Sequence, residues 1–225
     1  MRTPTMSFLF GAAEPRRPGR FTRLIHVFAA TALASVALGA GAQTVVAYGS
    51  TLACAPRAGA AVMAPWGDTA TYFLISNGDF ESGSTDWALA GGAKVVDGNE
   101  TYKVAGADDS HSLMIPPNGS AESRSFCVSK GEDVVRLFVN NAHVPGAVLH
   151  VDAIVVNPDN GAVGTAAFDV NGDVQSTPWA PTNALRIPSL FGGAGTEQLT
   201  LRFTLRGNQT TWSIDDVFVD PFKSW

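Results

Sequence analysis

The chain has 225 residues, of which 45% are hydrophobic and 16% are charged, and its formal net charge at neutral pH is −5. An acidic domain repels phosphate backbones, which excludes nucleic acid as an expected partner. The length suits one domain with a core of its own once the N-terminal segment described next is set aside.

The first 42 residues are typical of a secretory signal peptide. Residues 1–23 contain five Arg and one Glu, an apolar run follows from Leu24 to Ala40, and Ala40-Gly41-Ala42 has the small-x-small pattern of a cleavage site. The run is rich in Ala and slightly short for a membrane span. We therefore predict bacterial export to the extracellular space. Removing this segment, which contributes +4, leaves a mature chain of net charge −9 with no membrane span.

We expect residues 43–74 to form an irregular lead-in and residues 75–225 to form the folded domain. Both cysteines, Cys54 and Cys127, lie in the mature chain. An oxidising compartment favours their pairing, so we predict a Cys54–Cys127 disulfide, the alternative being two buried free thiols.

The folded domain reads as short apolar runs separated by turn residues, without a helical period. In the segments Leu149–Val155 and Leu199–Leu205 every second residue is apolar, which indicates strands with one buried face. Asn160-Gly161 and Asn171-Gly172 are candidate type I′ hairpin turns. Many such strands with turn-rich connections predict an all-β, antiparallel β-sandwich.

The last apolar run changes phase at Asp215-Asp216. Trp212 and Ile214 point one way, whereas Val217 and Val219 fall out of phase with them. One extra residue would restore the register, so we predict a β-bulge there. Two adjacent carboxylates inside an apolar strand need partners, which are either cationic side chains or a metal ion. The cationic candidates are Arg136, Arg202 and Arg206.

Three acidic segments could supply a metal ion with hard oxygen ligands. They are Asn77–Glu81, Asp108-Asp109 and Asp215-Asp216. Calcium binds six to eight such oxygens from carboxylates and backbone carbonyls, and it is the metal that these segments suit.

Two of these segments lie in motifs that resemble a known family. The run Asn77-Gly78-Asp79-Phe80-Glu81-Ser82-Gly83, followed by Trp87 and by Trp212–Val217, is similar to galactose-binding-like jelly rolls. Among these it most resembles the calcium-containing carbohydrate-binding modules attached to xylanases and glucanases. The resemblance implies that the first motif and the last strand meet and share a structural calcium. The implied ligands are Glu81, the carbonyl of Asp79, Asp215, and Asp108 or Asp109.

A wider resemblance covers almost all of the mature chain. It is to small secreted bacterial proteins that consist of one such module with no enzyme attached, and it implies the same fold and export. The segments that carry it are Ser125–Val128, Arg136–Val139, Leu149–Asp152, Trp179–Pro181 and Ile214–Pro221.

No catalytic motif is present in the chain. It lacks the H-E-x-x-H, G-x-S-x-G and P-loop patterns, and its histidines lack zinc spacing. His150 and Asp152 lie two apart on a predicted strand and face the same side, as a solvated face or as part of a ligand site. Trp179 lies between two prolines in a predicted loop, either as a sugar-stacking platform or as a plug over the sandwich edge. We therefore predict no enzymatic activity, with Trp179, His150 and Asp152 as candidate ligand-binding residues.

Two functions follow from this sequence. One is a secreted, non-catalytic module that binds a carbohydrate or a related cell-surface polymer. The other is a structural or protein–protein interaction protein of the cell exterior. An exposed aromatic strip across a sheet would favour the first, and a large smooth apolar patch would favour the second.

Overall fold

The computed structural model describes residues 54–129, 131–141, 144–172, 179–187, 195–207 and 210–220, so the predicted signal peptide lies outside the described residues. Those residues form one short 3-10 turn, Ala64–Trp66, and thirteen strands. The strands are β1 (Phe73–Leu74), β2 (Trp87–Ala90), β3 (Lys94–Asp97), β4 (His111–Ile115), β5 (Ser120–Ser123), β6 (Phe126–Ser129), β7 (Val134–Asn140), β8 (Ala147–Val156), β9 (Val163–Asn171), β10 (Ala180–Pro181), β11 (Leu185–Arg186), β12 (Thr196–Gly207) and β13 (Trp212–Asp220). No helix among them has the length and hydropathy that crossing a membrane requires.

The strands form two antiparallel sheets. The seven-stranded sheet has the order β10-β7-β13-β4-β3, with β1 pairing with β13 and β11 with β7. The six-stranded sheet has the order β2-β5-β12-β8-β9, with β6 pairing with β12. Strands that are distant in the chain are neighbours in both sheets, as in a jelly roll. The predicted all-β, antiparallel jelly-roll β-sandwich is confirmed.

The main core lies between the two sheets and follows the predicted alternation. In β12 the residues Leu199, Leu201 and Phe203 are buried, and in β8 the core-facing residues are Leu149, Val151, Ala153 and Val155. Burying one face of each strand explains the period of two, because successive side chains point to opposite faces.

A second apolar cluster covers the outer face of the seven-stranded sheet, so that strand β7 is buried on both faces. Part of the predicted lead-in packs there. The cluster contains Met63, Tyr72, Val134, Phe138, Trp179 and Phe218. Burial on both faces accounts for the nearly continuous apolar sequence of β7.

The lead-in is held against the sandwich by covalent and polar contacts. The predicted Cys54–Cys127 disulfide is confirmed, with a Cα–Cα distance of 5.6 Å. The Arg57 guanidinium pairs with Glu132 and lies 3.8 Å from the centroid of the Phe73 ring. Strand β1, at the end of the lead-in, pairs with β13. The described part of the lead-in is therefore part of the sandwich.

The predicted type I′ turns are wrong. Strands β8 and β9 do form a hairpin, but residues 157–162 connect them, and Gly161 has a positive φ of 69° whereas Asn160 does not. A type I′ turn requires positive φ at both central residues. Neither Asn171 nor Gly172 has a positive φ. Gly172 instead serves a close approach, because a Cβ there would lie 2.9 Å from the Val144 carbonyl oxygen.

Candidate functional site

The predicted β-bulge is confirmed in β13, where the register against β7 shifts between Asp215 and Phe218. Asp216 has a φ of 51°, in the left-handed region that Asp tolerates better than most residues. Next to it, the Val217 N–H donates to the Gly78 carbonyl and the Val217 carbonyl accepts from Ile75 N–H, both at 3.1 Å. The first motif and the last strand therefore meet at the bulge, as the resemblance implied.

The first motif closes into a loop around the side chain of Asn77. This residue has a φ of 50°, and its amide Nδ2 donates to the carbonyls of Gly83 and Thr85 at 2.8 and 2.7 Å. The Trp87 indole N–H donates to the Asn77 carbonyl at 2.9 Å, and Phe80 lies fully buried beside the Trp87 ring. These contacts give the Asn, Phe and Trp of the motif structural roles, and they position the acids between them.

Three buried carboxylates converge beside the bulge. One oxygen each from Glu100, Asp109 and Asp216 can be chosen so that all three lie within 4.8 Å of one another. Glu100 and Asp216 are 0% exposed and Asp109 is 4% exposed. We call these three residues the carboxylate cluster.

Two members of the carboxylate cluster have no hydrogen-bond donor. Both carboxylate oxygens of Asp109 and both of Asp216 are buried and unpartnered among the described residues. Asp215 differs, because its two oxygens accept the backbone N–H groups of Glu100 and Asp216, each at 2.9 Å. Burying an unpaired carboxylate is costly, so these oxygens require either protons or a cation.

The surroundings of these acids favour their protonated forms. Burial, together with the neighbouring Glu81 carboxylate, raises the pKa of Asp109 to about 7. Burial raises the pKa of Asp215 to about 8. Burial and the charge of Asp215 raise the pKa of Asp216 to about 9. A cation at the carboxylate cluster would oppose these shifts, because a nearby positive charge favours the ionised form of a carboxyl group.

The geometry of the carboxylate cluster fits calcium. Calcium–oxygen distances of about 2.3–2.6 Å place two oxygens on one ion at most about 5 Å apart, and the three oxygens of the cluster, all within 4.8 Å of one another, meet this limit. Oxygen is the ligand that calcium prefers, and the unpartnered oxygens of Asp109 and Asp216 are available for such coordination. Glu100, Asp109 and Asp216 are the residues that would hold it.

The ligands implied by the resemblance lie around this point, but only Asp109 belongs to the carboxylate cluster. The charge of Asp79 contributes to the raised pKa of Asp109 and Asp216, so its carboxylate lies close by. Asp215 faces backbone N–H groups instead of the cluster. Asp108 is exposed, whereas Asp109 points inward.

Glu81 lies beside the cluster with partners of its own. Its carboxylate accepts the backbone N–H groups of Ser110 and His111 at 2.7 and 2.6 Å, and it contacts the His111 ring nitrogen Nδ1 at 2.9 Å. Although burial acts in the opposite direction, these hydrogen bonds lower the pKa of Glu81 to about 2. Glu81 therefore anchors the segment that carries Asp109.

Neither Glu100 nor Asp216 was predicted as a metal ligand from the sequence, and Asp215, which was predicted, lies outside the carboxylate cluster. Glu100 follows Gly98-Asn99, in a run that looks like any solvated loop, and nothing in the sequence marks it. The choice between Asp215 and Asp216 depends on the left-handed φ of Asp216.

The structure does not pair Asp215 or Asp216 with the arginines that the sequence suggested as partners. Arg136 pairs with Asp68 at 2.8 Å. Arg202 pairs with Glu122 at 2.7 Å, and both Arg202 and Arg206 belong to β12 of the other sheet. The carboxylate cluster thus lacks the cationic partners that the sequence offered.

We expect the protein to lose stability as the pH rises when divalent cations are removed. An unfolded Asp releases its proton near pH 3.9, whereas in the fold Asp109, Asp215 and Asp216 hold theirs up to pKa values of about 7, 8 and 9. The stability that these protons contribute is fully present below the pKa of Asp in the unfolded chain. It is lost as the pH rises through the higher pKa values of the folded protein. Thermal melts in chelator should show a loss of at least about 1.4 kcal/mol between pH 5 and pH 9.

Calcium should reduce that pH dependence, because the cation replaces the protons. A melting temperature in chelator that increases from pH 5 to pH 9 would contradict the expectation. So would an equally steep loss in saturating calcium.

A second polar site lies on the outer face of the six-stranded sheet. His150 is only 3% exposed, and its ring nitrogens lie 2.6 Å from an oxygen of Asp169 and 3.1 Å from an oxygen of Asp152. Both nitrogens are engaged by carboxylates, so neither faces a hydroxyl nucleophile among the described residues. On β12 the Arg202 guanidinium, opposite Asp152 in register, binds Glu122.

Trp179 is not an exposed platform. It is 8% exposed and packs in the second apolar cluster over the seven-stranded sheet, where the lead-in covers it. Among the described residues, the large hydrophobic side chains that are exposed are those of Tyr102 and Val163. The described surface therefore shows neither an aromatic strip along a sheet nor a large apolar patch.

No protein-family model matches the chain, and no curated protein sequence matches it. Solved structures similar to it include carbohydrate-binding modules, the kind of protein that the terminal motifs resembled. A CBM61 module in complex with β-1,4-galactotriose is 15% identical with a TM-score of 0.42, the match covering 65% of this chain and 96% of that one. The C-terminal family 22 module of Clostridium thermocellum Xyn10B is 15% identical with a TM-score of 0.39, covering 65% and 93%. CBM28, specific for non-crystalline cellulose, is 15% identical with a TM-score of 0.39, covering 63% and 90%. The β-sandwich class itself follows from the two sheets described above.

Proposed function

We propose that this protein is a secreted, non-catalytic module that binds a carbohydrate or a related cell-surface polymer. Its ligand site is the outer face of the six-stranded sheet, and a calcium ion at the carboxylate cluster stabilises the fold. The observation that supports the ligand site is the fixed set of hydrogen-bonding groups around His150.

The polar groups of this face are arranged in rows across the strands. In one row Glu122, Arg202 and Asp152 are in register on β5, β12 and β8. In the next row Thr204, His150 and Asp169 are in register on β12, β8 and β9. Neighbouring strands lie about 4.8 Å apart, so adjacent rows and columns offer donors and acceptors at the scale of sugar hydroxyl groups.

These groups are held in place before any ligand arrives. Asp152 and Asp169 are fixed by His150, and Glu122 is fixed by Arg202. Each carboxylate oxygen that accepts one hydrogen bond retains a lone pair for a hydroxyl donor. Groups that are already oriented lose little entropy on binding, which favours recognition of a polyhydroxylated ligand.

The same arrangement supports a non-catalytic function. A general base must reach the proton that it removes, and the two His150 nitrogens are both occupied by carboxylates. The face thus presents fixed hydrogen-bonding groups without a free imidazole base at His150.

We expect the calcium-loaded protein to bind at least one glycan on an immobilised array that includes β-1,4-galactan, xylan and non-crystalline cellulose. Asp152→Asn should weaken that binding by about tenfold or more, since a lost hydrogen bond to a charged group contributes about 1.5–3 kcal/mol. Asp159→Asn, in the exposed β8–β9 connection, is the matched control and should bind like the wild type.

His150→Ala gives a second test of the same face and should also lose binding. Because His150 is buried, the melting temperature of the variant is measured together with its glycan binding. The comparison separates a loss of binding from a loss of folding. Wild-type protein that binds no glycan would show that the proposed function is wrong. Equal binding by the Asp152→Asn variant would place the ligand elsewhere on the protein. Release of reducing sugar from a bound glycan would contradict the non-catalytic assignment.

A further inference from the structure

We propose that Tyr102, supported by Trp66, is a second contact point for a single neutral sugar residue, and that the cation at the carboxylate cluster holds it in its binding position. This inference rests on the proposed function, since it adds a subsite to a carbohydrate-binding protein. It is carried by a half-exposed aromatic ring whose backbone is tied to the carboxylate cluster.

The Tyr102 ring is exposed on one side and packed on the other. The side chain is 50% exposed. Its ring centroid lies 4.8 Å from that of Trp66 with an interplanar angle of 89°, and 5.8 Å from that of Phe138. The lead-in turn Ala64–Trp66 supplies Trp66, and β7 supplies Phe138. Two aromatic neighbours on different elements therefore limit the movement of the ring.

The phenol group also fixes the ring. Its hydroxyl donates to the carbonyl oxygen of Trp179 at 3.4 Å. A Tyr side chain has few rotatable bonds and combines an apolar face with a polar end, so it provides contact area at a low entropic cost. A ring that is fixed before binding is a better anchor than a freely moving one.

The backbone of Tyr102 is bound to a member of the carboxylate cluster. The Tyr102 N–H donates to one oxygen of Glu100, and the Val104 N–H donates to the other at 2.7 Å. The Glu100 N–H donates in turn to Asp215 at 2.9 Å. Each Glu100 oxygen keeps a lone pair for a metal. The same carboxylate can therefore orient the Tyr102 backbone and bind the cation at the same time.

Removing the cation should therefore disturb the ring. Without the cation, Glu100 keeps its hydrogen bonds to Tyr102 and Val104 but is no longer linked to Asp109 and Asp216, so the segment that carries Tyr102 is held less firmly. With the cation bound, Glu100 is fixed at both oxygens. The subsite thus depends on the metal although the sugar itself does not contact it.

The size of the exposed surface favours one sugar residue over a protein partner. Among the described residues the other exposed large hydrophobic side chain is Val163, on β9 of the opposite sheet. Stable protein interfaces bury about 800 Å² on each partner, whereas one aromatic side chain buries about 150–250 Å². One ring matches the apolar C–H face of a pyranose. The acids beneath it disfavour anionic sugars, so the expected ligand is neutral.

The test uses the same glycan array with four proteins: wild type, Tyr102→Ala, Tyr102→Phe and, as the matched control, Thr101→Ala, which changes the exposed neighbour of Tyr102 in the chain. In calcium we expect Tyr102→Ala to lose about tenfold in affinity, and the other two variants to bind within about threefold of the wild type. In chelator the wild type should fall to the level of Tyr102→Ala, which itself should change little.

A second measurement needs no glycan. Calcium alone should change the wild-type tryptophan emission by restricting Trp66 against Tyr102, and this change should be absent from Trp66→Phe. Tyr102→Ala should keep the full calcium-induced rise in melting temperature, which shows that its metal site is intact.

The outcomes separate this inference from the proposed function. If Asp152→Asn loses glycan binding and Tyr102→Ala does not, the Tyr102 subsite is wrong and the proposed function stands. If calcium dependence of glycan binding persists in full in Tyr102→Ala, the coupling to the metal is wrong. If the wild type binds no glycan, both proposals fail.

Discussion

Calcium should raise the melting temperature of this protein by roughly 5–10 °C, and Asp216→Asn should abolish the rise. A ligand that binds only the folded state at a hundred times its dissociation constant stabilises by about 2.7 kcal/mol, which gives that shift for a domain of this size. Asp216 is chosen because both of its oxygens are buried without a donor. Its φ of 51° is also accessible to Asn, so the backbone is preserved.

The sign of the effect reverses in chelator. At pH 8 the wild type must keep protons on buried acids or ionise them without a partner, and Asp216→Asn removes one of those acids. We therefore expect the variant to melt higher than the wild type in chelator and lower than it in saturating calcium. A generally disruptive substitution would lower the melting temperature in both conditions.

Two further variants locate the metal ligands. Glu100→Gln should lose most of the calcium shift, whereas Asp108→Asn, an exposed neighbour of the carboxylate cluster, should retain it. Scanning calorimetry with calcium and with chelator measures all of these shifts. An unchanged wild-type midpoint, or a full calcium shift in Asp216→Asn, would contradict the site.

The second large effect is expected from the disulfide. The bond closes a loop with a sequence separation of 73 residues, for which the chain-entropy estimate of stabilisation is about 4 kcal/mol. The double variant Cys54→Ser, Cys127→Ser should therefore melt roughly 8–16 °C lower than the oxidised wild type. Reduction of the wild type should reproduce most of this loss.

Reducing agent serves as the internal control for this experiment, because it should leave the double variant unchanged. The Arg57–Glu132 pair and the packing of Phe73 remain after reduction and should keep the sandwich folded at low temperature. A loss below about 1 kcal/mol would mean that these contacts hold the lead-in without the disulfide. Free thiols in the oxidised protein would contradict the pairing itself.

Local pattern was enough to predict the features that depend on neighbouring residues. The alternation in β8 and β12 predicted their buried faces, since a strand with one buried face repeats every two residues. The phase change at Asp215-Asp216 predicted the bulge, and two cysteines in a chain predicted to be exported indicated their pairing. The turns were predicted less well, because the dipeptide Asn160-Gly161 does not determine the length of its loop.

Contacts between distant segments were not predicted from the sequence. Trp179 was expected in a loop, but the lead-in packs over it from more than a hundred residues away in the chain. Glu100 has the sequence context of a solvated acid, and it becomes a buried neighbour of Asp109 and Asp216 only when the sandwich closes. His150 gains its partner Asp169 through the pairing of β8 with β9.

The sequence by itself determined the sandwich class, the disulfide and the position of the bulge. The reason is that alternation, phase and cysteine count are properties of the chain read in one dimension. Only the tertiary structure decided which acids converge. Whether Asp215 or Asp216 joins the carboxylate cluster depends on the left-handed backbone conformation of Asp216. With this conformation the Asp215 carboxylate faces backbone N–H groups and the Asp216 carboxylate faces the cluster. The local sequence locates the bulge in β13, but it does not show which of the two carboxylates the bulge turns toward the cluster.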